Sequence, residues 1–224
     1  MKTLIVGGTD TGVGKTIVTA ALASQALRAG RRIAVIKPAQ TGLAEGEPGD
    51  ADEVKRLSGI DDVIEIIRYP DPLAPASAAA RVGGPGITVA QIARVVGALS
   101  DHDLVIIEGA GGVLVRFDES GGTLIDLADA LGAPVLLVAR AGLGTLNHSA
   151  LSIEALRARG VECPGIIIGS WPETPDLATR ANVSDLPSYC GAPLLGQVPE
   201  GAARLEPLEF QNQSQSWINS GGLL

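Results

Sequence analysis

The feature that most constrains the fold of this chain is a glycine-rich segment near its N-terminus, residues 8–16, with the sequence GTDTGVGKT. A short apolar run, Thr3 to Val6, precedes the segment and predicts a buried β-strand. An alanine-rich stretch, Ile17 to Ala29, follows it and predicts a helix that ends at Gly30. In this order, strand, glycine loop and helix form an arrangement in which backbone N–H groups and a helix N-terminus bind phosphate.

The last residues of this segment, Gly14, Lys15 and Thr16, match the end of a phosphate-binding loop (P-loop). In such loops the lysine reaches the β- and γ-phosphates of a nucleotide, and the hydroxyl group binds Mg²⁺. The usual motif, Gly-x4-Gly-Lys-Ser/Thr, would require glycine where this chain has Thr9. A glycine-rich turn without a ligand is the alternative. The flanking strand and helix favour the phosphate loop.

The net charge and the amino-acid composition argue against a nucleic-acid-binding, secreted or membrane-spanning protein. A formal net charge of −8 and an aromatic content of 3% leave no basic face for nucleic acid and few rings for base stacking. Cys163 and Cys190 form no CxxC pair, which suits a reducing compartment. The first strand leaves no room for a signal peptide, and no apolar run approaches the roughly 20 residues of a membrane span. We expect a cytoplasmic protein that binds neither nucleic acid nor membrane.

Apolar runs alternate with helical segments along the rest of the chain. The further predicted strands are residues 32–36, 63–67, 104–107, 134–139, 165–168 and 194–198. The further predicted helices are residues 51–57, 76–80, 89–99 (capped by Thr88), 124–131 and 145–159. This alternation predicts an α/β fold with a doubly wound, mainly parallel sheet flanked by helices. No linker divides residues 1–224, so we expect one domain, and we expect the tail after Glu209 to be loosely packed or a short surface helix.

Polar residues at the predicted strand ends are the candidates for binding and catalysis, because ligands of such sheets bind outside the carboxyl ends of the strands. Lys37 ends the second predicted strand, where its ammonium group could neutralise a phosphoryl group in transfer, and Thr41 follows as a hydroxyl donor. Glu108 ends a buried strand and is a candidate Mg²⁺ ligand. A solvated charge is the alternative for both Lys37 and Glu108. Asp50 is a second candidate ligand, although it could cap a helix and Asp52 competes for the same role.

A second glycine loop, residues 142–147, enters a predicted helix. The N–H groups of its first turn could bind a carboxylate or a phosphate, and capping by Thr145 explains the local sequence equally well. His148 is expected to be structural and His102 to lie at the surface. No Ser or Cys lies in an activated setting, so the sequence does not support nucleophilic hydrolysis.

Four segments together resemble the dethiobiotin synthase family, ATP-dependent enzymes of biotin synthesis with the P-loop NTPase fold. They are residues 8–16 (GTDTGVGKT), 37–42 (KPAQTG), 108–112 (EGAGG) and 143–148 (LGTLNH). The family shares the longer loop spacing, which accounts for Thr9. The resemblance implies a ligase that requires Mg²⁺ and works as a homodimer.

The reaction implied by the resemblance joins 7,8-diaminopelargonate to CO₂ (or bicarbonate as its source) and is driven by ATP or another nucleoside triphosphate. One amine takes up CO₂ as a carbamate, which attacks the γ-phosphate to give a carbamic–phosphoric anhydride. The second amine then closes the cyclic urea of dethiobiotin and expels phosphate. A P-loop, Mg²⁺ and additional lysines can position the two anions and neutralise their charge.

The resemblance also implies which residues form the sites. Catalysis is assigned to Thr11, Lys15 and Lys37, with Lys37 as the main electrostatic catalyst. The implied Mg²⁺ ligands are Thr16, Asp50 and Glu108. The implied nucleotide-binding residues are Gly12, Val13, Gly14, Lys15, Thr16, Ile17, Asp50, Glu108, Gly109, Ala110, Gly111, Gly169, Ser170, Val198, Pro199 and Glu200. The implied substrate-binding residues are Thr11, Lys37, Thr41, Gly111, Gly112 and Val113, together with Gly144, Thr145, Leu146 and Asn147 of the second subunit.

The choice of nucleotide base and the alternative functions stay open. Many family members carry an asparagine that contacts adenine where this chain has Gly169 and Ser170, so we hypothesise relaxed base selectivity. One alternative is a switch ATPase of the partition or cell-division type, but those proteins have a lysine early in the loop where this chain has Asp10. They often end in a basic membrane helix, and residues 214–224 contain no Lys or Arg. A nucleotide-binding module without enzymatic activity is the remaining alternative.

Overall fold

Seven parallel strands form one sheet in the computed structural model, which describes residues 1–224. The strands are β1 (Lys2–Gly8), β2 (Ile33–Thr41), β3 (Val63–Tyr69), β4 (Leu104–Gly112), β5 (Val135–Ala139), β6 (Ile166–Trp171) and β7 (Leu194–Pro199). Their order is β3-β2-β4-β1-β5-β6-β7, so β2, β3 and β4 lie on one side of β1 and β5, β6 and β7 on the other. This is the predicted doubly wound sheet, and every neighbouring pair is parallel.

Helices cover both faces of the sheet. They are α1 (Lys15–Arg28), α2 (Asp50–Ser58), α3 (Pro75–Arg81), α4 (Val89–Gly97), α5 (Leu124–Leu131), α6 (Thr145–Arg157), α7 (Leu177–Cys190) and α8 (Pro207–Gln213). Buried residues of α1, α2 and α8 form one apolar cluster, and those of α3 to α7 form the other. Central strands such as β5 are fully apolar because both of their faces are buried. No helix is long and apolar enough to cross a membrane.

Two strands extend further than their apolar runs predict, so Lys37 and Glu108 lie inside strands and not at their ends. Beyond Ile36, β2 pairs with β3 alone. Pro38 has no N–H to donate, and it lies where only one side of the strand is paired. Likewise β6 continues through Ser170, beyond residue 168, where the predicted strand ends. Strand pairing uses backbone groups, and it continues through polar and glycine residues that carry no apolar pattern.

Helix α7 was not predicted, because the side chains it buries are not an apolar stripe. Two of its four buried residues, Thr179 and Asn182, are polar. Asn182 donates hydrogen bonds to the carbonyl oxygens of Ala141 (2.8 Å) and Gly142 (3.2 Å), so the buried amide holds the loop before α6. The predicted cap of α4 is confirmed, since the Thr88 hydroxyl accepts from the Gln91 N–H.

The C-terminal tail is packed into the core, so the expectation of loose packing was wrong, although the short helix is present as α8. Phe210 is fully buried and its ring lies edge-on to that of Trp217, with the centroids 5.2 Å apart. The Gln25 amide of α1 donates to the carbonyl oxygens of Ser214 (2.8 Å) and Ile218 (3.1 Å). Ile218 also forms an antiparallel bridge with Gly196 of β7. The tail thus ties the first helix to one edge of the sheet.

We expect Phe210→Ala to lower the free energy of unfolding by about 3–5 kcal/mol, because it removes a fully buried aromatic ring and leaves a cavity. Urea denaturation followed by circular dichroism measures the change. Leu208→Ala is the matched control, since that side chain is 75% exposed in the same helix and should cost less than about 0.5 kcal/mol. A loss below about 1 kcal/mol for Phe210→Ala would show that the tail contributes little to the core.

Candidate active site

The carboxyl ends of β1, β2 and β4 and the N-terminus of α1 enclose a cavity of about 740 Å³. Its polar wall is built from the glycine loop and the ends of the strands, and its apolar wall from the segment 72–75 with Val115. The lining residues are Thr11, Gly12, Gly14, Lys15, Thr16, Ile17, Lys37, Ala39, Gln40, Thr41, Asp50, Pro72, Leu73, Ala74, Pro75, Glu108, Ala110, Gly111 and Val115.

The phosphate loop lies directly on the backbone of β6. Gly14 precedes α1 with φ 97°, and a Cβ there would lie 2.3 Å from the Gly169 carbonyl oxygen. A Cβ on Gly169 would in turn lie 2.1 Å from the Val13 carbonyl oxygen. Both positions therefore require glycine, and Gly169 supports the loop from below.

Lys15 extends over the loop and is nearly buried. Its Nζ donates a hydrogen bond to the Asp10 carbonyl oxygen at 2.9 Å. Burial, followed by the nearby charge of Lys37, lowers the pKa of Lys15 from 10.5 to about 8. An ammonium group with so few counter-ions is suited to bind an incoming anion such as a phosphate.

A buried charge cluster joins three separate segments at the floor of the cavity. Lys37 Nζ lies 2.5 Å from Asp50 Oδ2 and 2.7 Å from Glu108 Oε1. The Thr16 hydroxyl donates to the same Glu108 oxygen at 3.0 Å. Burial opposes the charge of Lys37, but Glu108 and Asp50 together raise its pKa above the ordinary value. Burial would likewise raise the pKa of Asp50, but the charge of Lys37 and a hydrogen bond from Lys37 hold it below the usual value.

The donor set of this cluster fits Mg²⁺. Two carboxylates and one hydroxyl group stand at the start of α1, next to the loop that would carry the phosphates. Magnesium is commonly bound in proteins through one or two carboxylates completed by substrate phosphates and water. Thr16, Asp50 and Glu108 are therefore able to hold a metal together with a nucleotide.

The structure separates the roles of Asp50 and Asp52. Asp52 Oδ2 accepts a hydrogen bond from the Gly49 N–H at 2.7 Å and so caps the start of α2, while Asp50 lines the cavity. Gln40, which the sequence analysis missed, accepts a hydrogen bond from the Asp50 N–H at 3.0 Å. This amide is buried, and it fixes the start of α2 beside Lys37.

A second residue missed from the sequence is Arg140, directly after β5. Its guanidinium lies 2.7 Å from Asp10 Oδ2, and Asp10 Oδ1 accepts from the Thr11 N–H at 2.7 Å. Arg140 therefore steadies the exposed part of the phosphate loop. Gln40 lies in the segment 37–42 that carries part of the resemblance, whereas Arg140 lies in none of the four segments. Only the folded arrangement brings Gln40 to Asp50 and Arg140 to the loop.

Several residues implied by the resemblance do not line the cavity. Val113 and Val198 are buried in the apolar core. Gly109 is buried and offers its carbonyl oxygen to Lys37 Nζ at 3.4 Å. Others lie outside the lining of the cavity: Val13, Gly112, Gly144, Thr145, Leu146, Asn147, Gly169, Ser170, Pro199 and Glu200. At the start of α6, Gly144 and Asn147 are exposed and Thr145 is buried.

Comparison with known proteins identifies the class to which this fold and site belong. The chain has the fold of P-loop nucleotide-binding proteins, and the family described as "AAA domain" matches residues 2–205. MinD, a cell division protein of Aquifex aeolicus, is similar in structure with a TM-score of 0.58 and 15% identity over 96% of this chain and 87% of that one. A ParA family ATPase from Chlorobium tepidum gives 0.57 and 14% over 94% and 90%. At these identities the likeness shows the fold alone.

Curated relatives give the particular family. A protein of Saccharopolyspora erythraea named ATP-dependent dethiobiotin synthetase BioD is 60% identical over 211 residues, which cover 94% of this chain and 92% of the relative. The protein of the same name from Streptomyces coelicolor is 54% identical over 219 residues, covering 97% and 92%. The chain belongs to the ATP-dependent dethiobiotin synthetase family.

Proposed function

We propose that this protein is an ATP-dependent dethiobiotin synthetase, a ligase that forms C–N bonds in biotin synthesis. The observation that carries the proposal is the pair of buried ammonium groups, Lys15 and Lys37, in one cavity with a phosphate loop. Two cations suit a reaction in which two anions, a carbamate and a triphosphate, have to be brought together. We also propose that residues 1–224 act as one domain and that the protein works in the cytoplasm.

In the proposed mechanism, one amine of 7,8-diaminopelargonate adds to CO₂ and loses a proton, which gives a carbamate. A carbamate oxygen attacks the γ-phosphorus, the bond to the β-phosphate oxygen breaks, and ADP leaves. The second amine then attacks the carbonyl carbon of the resulting carbamic–phosphoric anhydride, closes the cyclic urea and expels phosphate. Lys15 and Lys37 neutralise the charge that builds up on the transferred group, while Thr11 and Thr41 donate hydrogen bonds to the carbamate.

Thr16, Asp50 and Glu108 would hold Mg²⁺ next to the bound nucleotide. The metal would neutralise charge on the β- and γ-phosphates. The loop amides of residues 12–17 would bind the phosphates, and residues 108–111 would lie beside them. Residues 169–170 and 198–200, at the ends of β6 and β7, would border the base.

We propose that the substrate carboxylate is bound by residues 144–147 of a second subunit. In support, Asn147 is exposed and lies outside the cavity of its own chain, and Leu143, just before this segment, is 86% exposed. A homodimer would cover this apolar side chain and place the N-terminus of α6 at the partner's cavity. Sedimentation equilibrium measures the mass, and a monomer at assay concentrations would contradict the proposal.

The test of the function is product formation from the diamine. Purified protein with Mg²⁺, ATP, bicarbonate and 7,8-diaminopelargonate should release phosphate and form dethiobiotin, identified by mass spectrometry. Omitting the diamine or bicarbonate should stop phosphate release. A switch ATPase would instead hydrolyse ATP without the diamine and form no cyclic urea. Either of these results would refute the proposed function.

We expect Glu108→Gln to raise the Mg²⁺ concentration needed for half-maximal activity at least about tenfold. The amide removes one of the two negative charges that the metal would meet, and it also weakens the partner of Lys37. A titration of activity against Mg²⁺ at fixed ATP measures the effect. Glu119→Gln is the control, because Glu119 is exposed and lies outside the cavity. An unchanged metal requirement would assign the role to other residues.

We expect the values of kcat/KM for ATP, GTP, CTP and UTP to lie within about tenfold of one another, which corresponds to about 1.4 kcal/mol. Gly169 has no side chain to contact a base, and the exposed Ser170 hydroxyl can both donate and accept hydrogen bonds. Steady-state rates of phosphate release with each triphosphate test this. A strong preference for ATP over all three others would exclude relaxed selectivity.

A further inference from the structure

Lys37 occupies one oxygen atom of each carboxylate in the proposed metal site. Its ammonium group bridges Asp50 Oδ2 at 2.5 Å and Glu108 Oε1 at 2.7 Å, and only 5% of the side chain is exposed. The same Glu108 oxygen also accepts the Thr16 hydroxyl at 3.0 Å. The three residues that suit Mg²⁺ are thus joined around a lysine. The other cation of the site, Lys15, donates to the Asp10 carbonyl oxygen.

A divalent cation and this ammonium group cannot both take these oxygens. Magnesium binds its oxygen ligands at about 2.0–2.1 Å, which is closer than the ammonium approaches them. A cation at that distance from Asp50 Oδ2 and Glu108 Oε1 would stand against Lys37 Nζ, and the like charges would repel at close range. Binding of the metal to these two oxygens therefore requires Lys37 to move away from at least one of them.

The cavity offers Lys37 a second position. The lysine stem is long and flexible, and Lys37 lines the cavity together with Thr11 and Thr41. Once the carboxylates are engaged elsewhere, the buried ammonium has to find other anions, because an unpaired buried charge is costly. In the proposed reaction, the nearest new anions are the γ-phosphate and the carbamate.

We propose that Lys37 is an internal counter-ion that competes with Mg²⁺ for Asp50 and Glu108, and that arrival of the metal with the nucleotide releases its ammonium group toward the carbamate. The identity of the metal and of the carbamate rests on the proposed function. The competition itself depends only on Thr16, Lys37, Asp50 and Glu108, and it exists before any substrate binds. It makes metal affinity low until a triphosphate adds its own oxygens, and it couples the placement of Lys37 to nucleotide binding.

Binding of Mn²⁺ to the protein without nucleotide tests the competition, with free Mn²⁺ counted by electron paramagnetic resonance. Lys37→Met removes the ammonium and keeps much of the apolar stem, so it should bind Mn²⁺ at least about tenfold more tightly than the unsubstituted protein, a gain of about 1.4 kcal/mol. Lys15→Met is the matched control: it also removes one buried positive charge, but Lys15 Nζ contacts neither carboxylate. Unchanged or weaker binding in Lys37→Met, or equal tightening in both variants, would overturn the proposal.

A measurement on the unsubstituted protein covers the case in which Lys37→Met fails to fold. The side-chain ¹⁵N resonance of Lys37 should shift when Mg²⁺ is added without nucleotide, in step with the amide resonance of Thr16. A shift at Thr16 with none at Lys37 would contradict the exchange. Neither experiment uses turnover, so a failed exchange leaves the assay for dethiobiotin formation unaffected, and a failed assay leaves the metal titrations interpretable.

Discussion

Replacing Lys37 by alanine should abolish turnover while nucleotide binding stays largely intact. The ammonium group is buried at the floor of the cavity and no other cation contacts both carboxylates, so nothing can take over its charge. Loss of a cation that stabilises a phosphoryl group in transfer typically lowers kcat by a factor of about 10³ or more. Phosphate release with saturating substrates measures kcat, and calorimetry measures ATP affinity.

Lys55→Ala serves as the control for this substitution, because Lys55 is an exposed lysine of α2 paired only with Asp61 at 3.5 Å. Its turnover should equal that of the unsubstituted protein. Circular dichroism has to show that Lys37→Ala is folded, since the change leaves Asp50 and Glu108 without their counter-ion. Normal turnover in a folded Lys37→Ala protein would remove Lys37 from the mechanism.

Gly169→Ala should lower the affinity for nucleoside triphosphates by about a hundredfold, although residue 169 does not line the cavity. The added methyl group would lie 2.1 Å from the Val13 carbonyl oxygen, 2.6 Å from Val138 Cγ1 and 3.0 Å from Gly14 Cα. Two of these contacts are backbone atoms of the phosphate loop, so the loop has to move to admit the methyl group. Loop amides shifted in this way no longer converge on the phosphates.

Calorimetric titration with ATP and Mg²⁺ measures this loss, and Gly97→Ala provides the comparison. Gly97 ends α4, where an added Cβ meets no atom within 4 Å. That variant should bind ATP normally and be slightly more stable, because alanine is the better helix former. If Gly169→Ala also binds ATP normally, the loop and β6 can adjust to each other, and the close packing is not needed for nucleotide binding.

The class of fold follows from the sequence because the strands are continuous apolar runs, which only a sheet covered on both faces explains. The ends of the elements do not follow so easily. In β2 and β4 the apolar pattern stops at Ile36 and Ile107, while the pairing continues to Thr41 and Gly112. An apolar pattern does not predict helix α7, because Thr179 and Asn182 are among the residues that this helix buries.

In the site as well, the sequence predicts what lies in one local motif and does not predict the contacts between distant segments. The glycine loop is predictable because one short segment contains all of its groups. Lys37, Asp50 and Glu108 are predictable as members of a site, but their mutual contacts are not, since they come from three distant segments. The contribution of Gln40 and Arg140 depends on hydrogen bonds and ion pairs that exist only after folding.

The bridge between Ile218 and Gly196 covers the β7 edge of the sheet and so hinders its pairing with another chain. The backbone of residues 217–219 exchanges hydrogen bonds with residues 195 and 197 of β7, so this edge has little left to offer another strand. A chain shortened before Trp217 would expose these groups together with the apolar surface around Phe210. Exposed strand edges with apolar neighbours are where aggregation starts. The tail therefore covers a strand edge that would otherwise be free to pair with another chain.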